Sequence, residues 1–302
     1  MVRRFVAMLA LEQPAVVGLD DLVAALKARV PQLENEIVGR PYAGDKAGAS
    51  EAYIVSISGS HFAVAFVGQP APQGTFDAAL SYAADNWPDG ANRIETHRAH
   101  IVLSNLVLAK GFDEAVDAAG SVTLIAGILN SLAPTIGVYW ANGEVILPSD
   151  SFEAMTQTLI TGHPPVGAWI NMCNRFDDAE AGQNDVGGVS TLGLDSFCGR
   201  EIETVAPQDG LAKAHERVLA VTADILRNGP GLADNSVLKI GENEAITVNL
   251  ADRGMFVHDQ PVIRLTPEEP EIQAEEPEVE LPSADSEPPL FNRRKRGKQF
   301  AT

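Results

Sequence analysis

At 302 residues, with 45% apolar and 21% charged side chains, the chain is long enough for two modest domains or one large one. Its formal net charge of −19 repels nucleic acid and anionic membranes, so the folded core is not expected to bind DNA or RNA. Cys173 and Cys198 lie far apart and outside any C-x-x-C pair, a usage that suits a reducing compartment and not a disulfide scaffold.

Arg3 and Arg4 precede an apolar run, as in a signal peptide. The run stops at Glu12-Gln13-Pro14 without a small-residue cleavage site, and reads as a buried first strand over residues 4–11. Leu19, Leu22, Val23, Leu26 and Val30 then form one apolar stripe of a helix that opens at Gly18. Asp20 and Asp21 suit its positive end, Lys27 and Arg29 its negative end, and Pro31 stops it. A polar loop is predicted over 39–51, then a hairpin of strands 53–58 and 61–67 about Gly59-Ser60. Thr75 caps a second helix that turns Phe76, Ala79, Leu80, Ala83 and Trp87 inward and closes at Pro88-Asp89-Gly90. With a strand at 100–104, the order is β-α-β-β-α-β, the split unit of ferredoxin-like folds.

A long helix of small residues is predicted over 112–132, ended by Pro134. The order then repeats. A strand at 136–140 is prolonged through Asn142-Gly143 into 145–147, and Asp150 with Glu153 leads a helix with Phe152, Met155, Thr156, Leu159 and Ile160 on one face. Two β segments, 166–172 and 189–205, are split by an acidic loop. An amphipathic helix over 211–227 ends at Gly229-Pro230-Gly231, and strands follow near 245–250 and 255–265.

The expected fold class is α+β, an α/β sandwich of two ferredoxin-like halves (1–110 and 134–266) joined by a helix (111–133). The repeat is one of element order and not of residues. No stretch approaches the roughly 18 apolar residues needed to span a bilayer, and the expected location is cytoplasmic.

Residues 267–302 change character. Proline and glutamate alternate through Pro267-Glu-Glu-Pro-Glu and onward, a composition too poor in apolar residues to fold, so a disordered, self-repelling tether is predicted. It ends in Arg293, Arg294, Lys295 and Arg296 between Phe291 and Phe300, which reads either as a docking peptide or as a solubilising terminus.

Three segments, Gly137-Val-Tyr-Trp after the long helix, Thr191-Leu-Gly-Leu-Asp-Ser-Phe-Cys-Gly-Arg-Glu-Ile-Glu, and the closing Pro261-Val-Ile-Arg-Leu, resemble the bacterial family called domain of unknown function 4261. The resemblance covers most of 1–265 and not the tail. It implies a bacterial source, an intracellular setting and a whole-length fold, and carries over no activity and no catalytic residue. In that setting the basic cluster is not a nuclear import signal.

The chemistry-bearing motifs are mostly absent. No phosphate-binding glycine loop follows a strand, and Gly229-Pro230-Gly231 has proline where N–H donors are needed. His215-Glu216 begins like H-E-x-x-H, but Leu219 holds the second histidine position, and His215 lies on the stripe of Leu211, Ala214, Val218, Thr222 and Ile225 as a core-edge residue. His97 and His100 enter a strand on opposite faces, which argues against a shared metal. Asp177, Asp178, Glu180, Asp185 and Asp195 lack the spacing of a calcium loop and read as a charged surface. No cofactor or metal is expected.

Two constellations remain. Tyr139 and Trp140 point to opposite faces of a strand, one into the core and the other onto an open face; with Arg200, Glu201 and Glu203 they form a candidate polar recognition surface on an aromatic floor. Cys198 beside Arg200, with His163 as base and Glu201 nearby, would make an enzyme of unrecognised type, with its site between the halves. The favoured reading is a non-enzymatic interaction or regulatory protein with a protein partner of open identity.

Overall fold

The computed structural model describes residues 3–44, 48–176, 187–206, 210–240 and 244–268. The predicted tail beyond 268, with Arg293, Arg294, Lys295 and Arg296, and the acidic stretch with Asp177, Asp178, Glu180 and Asp185, lie outside the described residues.

The apolar run after Arg4 forms β1 (Val6–Leu11), near the centre of a seven-stranded antiparallel sheet. The other strands are β2 (Ile37–Pro41), β3 (Glu51–Ile57), β4 (Ser60–Val67), β5 (Ala99–Asn105), β6 (Thr135–Trp140) and β7 (Val145–Pro148), in the order β2-β3-β4-β5-β1-β6-β7. Helix α1 (Leu19–Arg29), with Leu22 and Leu26 buried, carries the chain from the centre to the β2 edge. The short helices α2 (Asp77–Ala83) and α3 (Gly90–Glu95) bury Phe76, Ala79, Trp87 and Ile94 against Ala10, Ile136, Tyr139 and Ile146, on the face opposite the main core.

This is not the ferredoxin-like pairing expected from element order. β5 lies antiparallel between β4 and β1, so β1 has no parallel central partner of the split-unit kind. Element order leaves pairing open, and the α2–α3 connection here returns the chain beside the strand it left. Nor does β6 begin a second half. It pairs with β1, and the Ala141–Gly143 turn, with Glu144 left-handed at φ 47°, reverses the chain into β7 as a hairpin. A strand running through Asn142-Gly143 was the expectation; an Asn-Gly pair is a turn signal, and it prevails here.

Helix α4 (Phe112–Leu132), predicted as a connector, packs on β1, α1 and α5 (Ser149–Ile160), and is part of the core. It is long and apolar enough to cross a membrane, yet 67% of that stretch is buried inside the fold. The expectation that no stretch is long enough is corrected here: Asp117, Gly120, Ser121, Thr123, Gly127, Asn130 and Ser131 interrupt the apolar residues without lowering the helix's mean hydropathy below that of a span.

The second sheet has six strands in the order β11-β12-β13-β10-β9-β8: β8 (Asn171–Phe176), β9 (Gly187–Leu192), β10 (Glu201–Val205), β11 (Ser236–Ile240), β12 (Glu244–Ala251) and β13 (Val262–Pro267). Among the described residues of this sheet, only the β10–β13 pair is parallel. Expected β segments at 166–172 and 189–205 are interrupted by single-turn helices, α6 (Val166–Trp169) and α7 (Asp195–Cys198), which drive Trp169 and Phe197 into the core. Helix α8 (Gly210–Asn228) covers one face of this sheet with Ala214, Val218, Val221 and Ile225. One continuous core joins both sheets, and the chain to Glu268 clusters as a single unit, without a division at the long helix.

Candidate functional site

Glu201 and Glu203 do share a face of β10, as period two requires, but neither is at a surface: both are at most 1% exposed. Glu201 accepts from Thr191 Oγ1 (2.5 Å), Gly193 N (2.7 Å), Leu194 N (3.1 Å) and Asp195 N (3.3 Å). It thereby closes the turn that opens α7. Burial raises its carboxyl to about 7 and Asp195 adds to the rise, while the Thr191 hydroxyl and backbone donors pull it down. Glu203 accepts from Met255 N (2.7 Å), Phe256 N (3.0 Å) and Arg264, whose guanidinium lies 2.8 Å away. Arg200 donates to the carbonyls of Ala251 (2.8 Å) and Val262 (3.2 Å). These three candidates pin loops to the second sheet, and the expected recognition surface is replaced by a buried polar layer.

Tyr139 and Trp140 point to opposite faces, as expected, and both are buried because α2 and α3 cover the face expected to be open. Trp140 stacks on Trp169 (centroids 6.1 Å), and Trp169 on Phe197 (5.3 Å). Phe5 closes the group against Phe197 at 5.0 Å. This aromatic stack ties the first sheet to the second. Backbones meet beside it: a Cβ on Gly193 (φ +106°) would sit 2.6 Å from the Cα of Gly143, so both turns require glycine.

The thiol constellation is not assembled. His163 is exposed in the loop after α5, and its backbone N–H bonds Thr158 O. Arg200 is spent on carbonyls, and Cys198 Sγ donates to Arg200 O (3.3 Å) and Leu194 O (3.6 Å). Burial pushes the Cys198 thiol up to about 11, against the pull of its backbone bond to Arg200. Iodoacetamide at pH 8 should therefore modify Cys198 of the folded chain at least about a hundredfold more slowly than that of the urea-unfolded chain. Peptide mass spectrometry over a time course measures this; equal rates would restore Cys198 as a reactive thiol. Among the other histidines, His97 bonds Ile94 O and Ala71 N, and His100 bonds Gln69 O, so both serve the fold. Among the described residues no group of three or more His, Cys, Asp or Glu is placed to hold a metal.

What sequence reasoning missed is a cleft of about 330 Å3 where β7, the edge of the first sheet, approaches the start of β8, the edge of the second. Helix α2 and the turn after it supply one wall with Tyr82 and Trp87, and α8 supplies the other with His215 and Leu219. Glu144 and Asn171 lie between the walls. Tyr82 (39% exposed) and Leu219 (47%) are large hydrophobics left at the rim. Glu144 Oε2 accepts from Tyr139 OH (2.8 Å), and Asn171 Nδ2 donates to the Glu144 carbonyl (3.2 Å). Burial, with that bond, raises the Tyr139 hydroxyl well above its ordinary value, so it stays a donor. His215 Nε2 bonds Asn174 Oδ1 (2.7 Å), and burial holds the ring below the usual histidine range. The Asn142-Gly143 turn was the legible signal for Glu144. Nothing in the sequence brings β7 beside α8.

The chain matches no protein-family model, no curated protein and no solved structure.

Proposed function

We propose that this chain is a non-enzymatic, cytoplasmic interaction or regulatory protein, and that the cleft between β7, α2 and α8 is its recognition element. One observation carries this reading: the cleft keeps polar side chains and two large exposed hydrophobics at its rim, whereas Cys198, Arg200, Glu201 and Glu203 are committed to holding loops. A concave site that joins an aromatic wall to a few polar groups suits ligand recognition. The proposed kinship with domain of unknown function 4261 belongs to this reading and assigns no activity. The basic end of the tail is proposed as a second docking element for a protein partner.

A photoreactive amino acid at position 82, with a control at the distant exposed position 38, tests the reading in the producing cell. The expected result is a discrete adduct from position 82 that Leu219→Asp abolishes. The same adducts from both positions, or none from position 82, would remove the cleft as the element that recognises a macromolecular partner.

A further inference from the structure

We propose that the cleft binds an organic cation, an ammonium or guanidinium on a short apolar body, with Glu144 as its counter-charge. This rests on the reading of the cleft as the recognition element and adds the chemistry of what it recognises.

Hydrogen-bond accounting leaves acceptor atoms uncommitted on three of the lining residues, Glu144, Asn171 and His215. Glu144 Oε2 is taken by Tyr139, and Oε1 has no hydrogen-bond partner among the described residues. The Asn171 amide gives Nδ2 to a carbonyl, which can only accept, so its Oδ1 is left to accept from a ligand. With Asn174 presenting Oδ1, His215 Nε2 carries the proton and Nδ1 is a lone pair. Because burial lowers His215, its ring stays neutral near pH 7 and competes for no negative charge.

Glu144 is the one Asp, Glu, Lys or Arg among the described lining residues. It sits at φ 47°, a conformation that non-glycine residues seldom adopt, and its hydrogen bond from Tyr139 holds the carboxylate there. Three acceptors, one of them on the carboxylate, match a donor-rich cation and disfavour an anion, while Asn86 and Ser151 in the same lining can donate or accept. Trp87 and Tyr82 supply aromatic surface for the apolar body and for the cation itself. About 330 Å3 accommodates a small ligand or one long side chain, and the net charge of −19 draws cations toward the surface.

Calorimetric titration of the full chain at pH 7 with 2-phenylethylammonium and its neutral isostere 2-phenylethanol tests the proposal. The expected result is an ammonium affinity about tenfold above that of the alcohol. Glu144→Gln, which keeps an acceptor for Tyr139, is expected to remove most of that preference and leave alcohol binding unchanged. Ser151→Asp adds a carboxylate to the exposed lining in the first turn of α5, and should raise ammonium affinity several-fold even if Glu144→Gln fails to fold. Equal affinities in the unaltered chain, a preference that survives Glu144→Gln, no gain in Ser151→Asp, or no binding of either probe up to about 10 mM would each overturn it. A cleft adduct from position 82 without an ammonium preference sinks the cation assignment alone. An ammonium preference without that adduct sinks the partner reading alone.

Discussion

Glu201→Ala is expected to lower the unfolding free energy by about 3–5 kcal/mol, because it strips the acceptor from several buried donors at once. Gly193 N and Leu194 N lose their partner in a region closed to water, and Thr191 Oγ1, which also accepts from Ile202 N, must turn to another acceptor. Urea unfolding measures the loss. A change below about 1 kcal/mol would mean that the turn before α7 reorganises freely.

The charge of Glu201 adds a pH dependence of definite sign. Its folded pKa lies near 7, raised by burial from the ordinary 4.5. The folded state therefore holds the proton more tightly than the unfolded chain. Its contribution is fully present below about pH 4.5 and is lost as pH rises through about 7. Glu201→Gln, which cannot titrate, should flatten this part of the profile. Melting temperatures of the two proteins, compared from about pH 4 to about pH 9, should differ in slope between about pH 4.5 and 7 and run parallel above that window. Parallel curves throughout would show that Glu201 does not titrate there.

Trp169→Ala carries the second large expectation, a loss of about 4 kcal/mol. The indole is fully buried between Trp140 and Phe197, and its Nε1 donates to Thr123 Oγ1 on α4 at 2.7 Å. With the Phe5–Phe197 pair, it joins the second sheet to the core of the first. Trp169→Phe keeps a ring in the stack and loses the hydrogen bond, so its cost should be about 1–2 kcal/mol beyond the smaller volume. The alanine variant also reports on cooperativity. Because one core runs through both sheets, unfolding followed by fluorescence and by circular dichroism should remain a single coincident transition, displaced to lower urea. Two separated transitions would mean that the sheets fold independently.

Much of the local structure was legible. The stripes of α1 and α8, the small-residue helix α4 and the β3–β4 hairpin follow from spacing, composition and turn residues, and their observed bounds differ from the expected ones by at most a residue or two. The opposed faces of Tyr139 and Trp140, and the shared face of Glu201 and Glu203, follow from strand geometry alone. Whether those faces are open does not. Period two says that two carboxylates point the same way, and it cannot say that the loop carrying Met255 and Phe256 closes over one of them. Charge made exposure the natural expectation, since glutamates are seldom fully buried without partners. Here the partners are backbone amides, which no side-chain pattern announces. The edge strands β2 and β11 were missed for a related reason: an edge strand needs no continuous apolar pattern, and β11 alternates half-buried with exposed residues.

Helix stripes, strand periodicity and turn residues act between neighbours in the chain, so the amino-acid order alone settles the mixed α+β class, the buried first strand and the amphipathic α8. Pairing is different in kind. That β5 enters between β4 and β1, that the Asn-Gly turn gives β6 and β7 to the first sheet, and that α6 and α7 plant Trp169 and Phe197 in one shared core are outcomes of packing between distant segments. The cleft is the clearest case. Tyr82, Glu144, Asn171 and His215 are far apart in the chain, and only the meeting of two sheet edges beneath α2 and α8 brings them to one space. Local spacing carries no term for that meeting, and the burial of apolar surface across both sheets decides it.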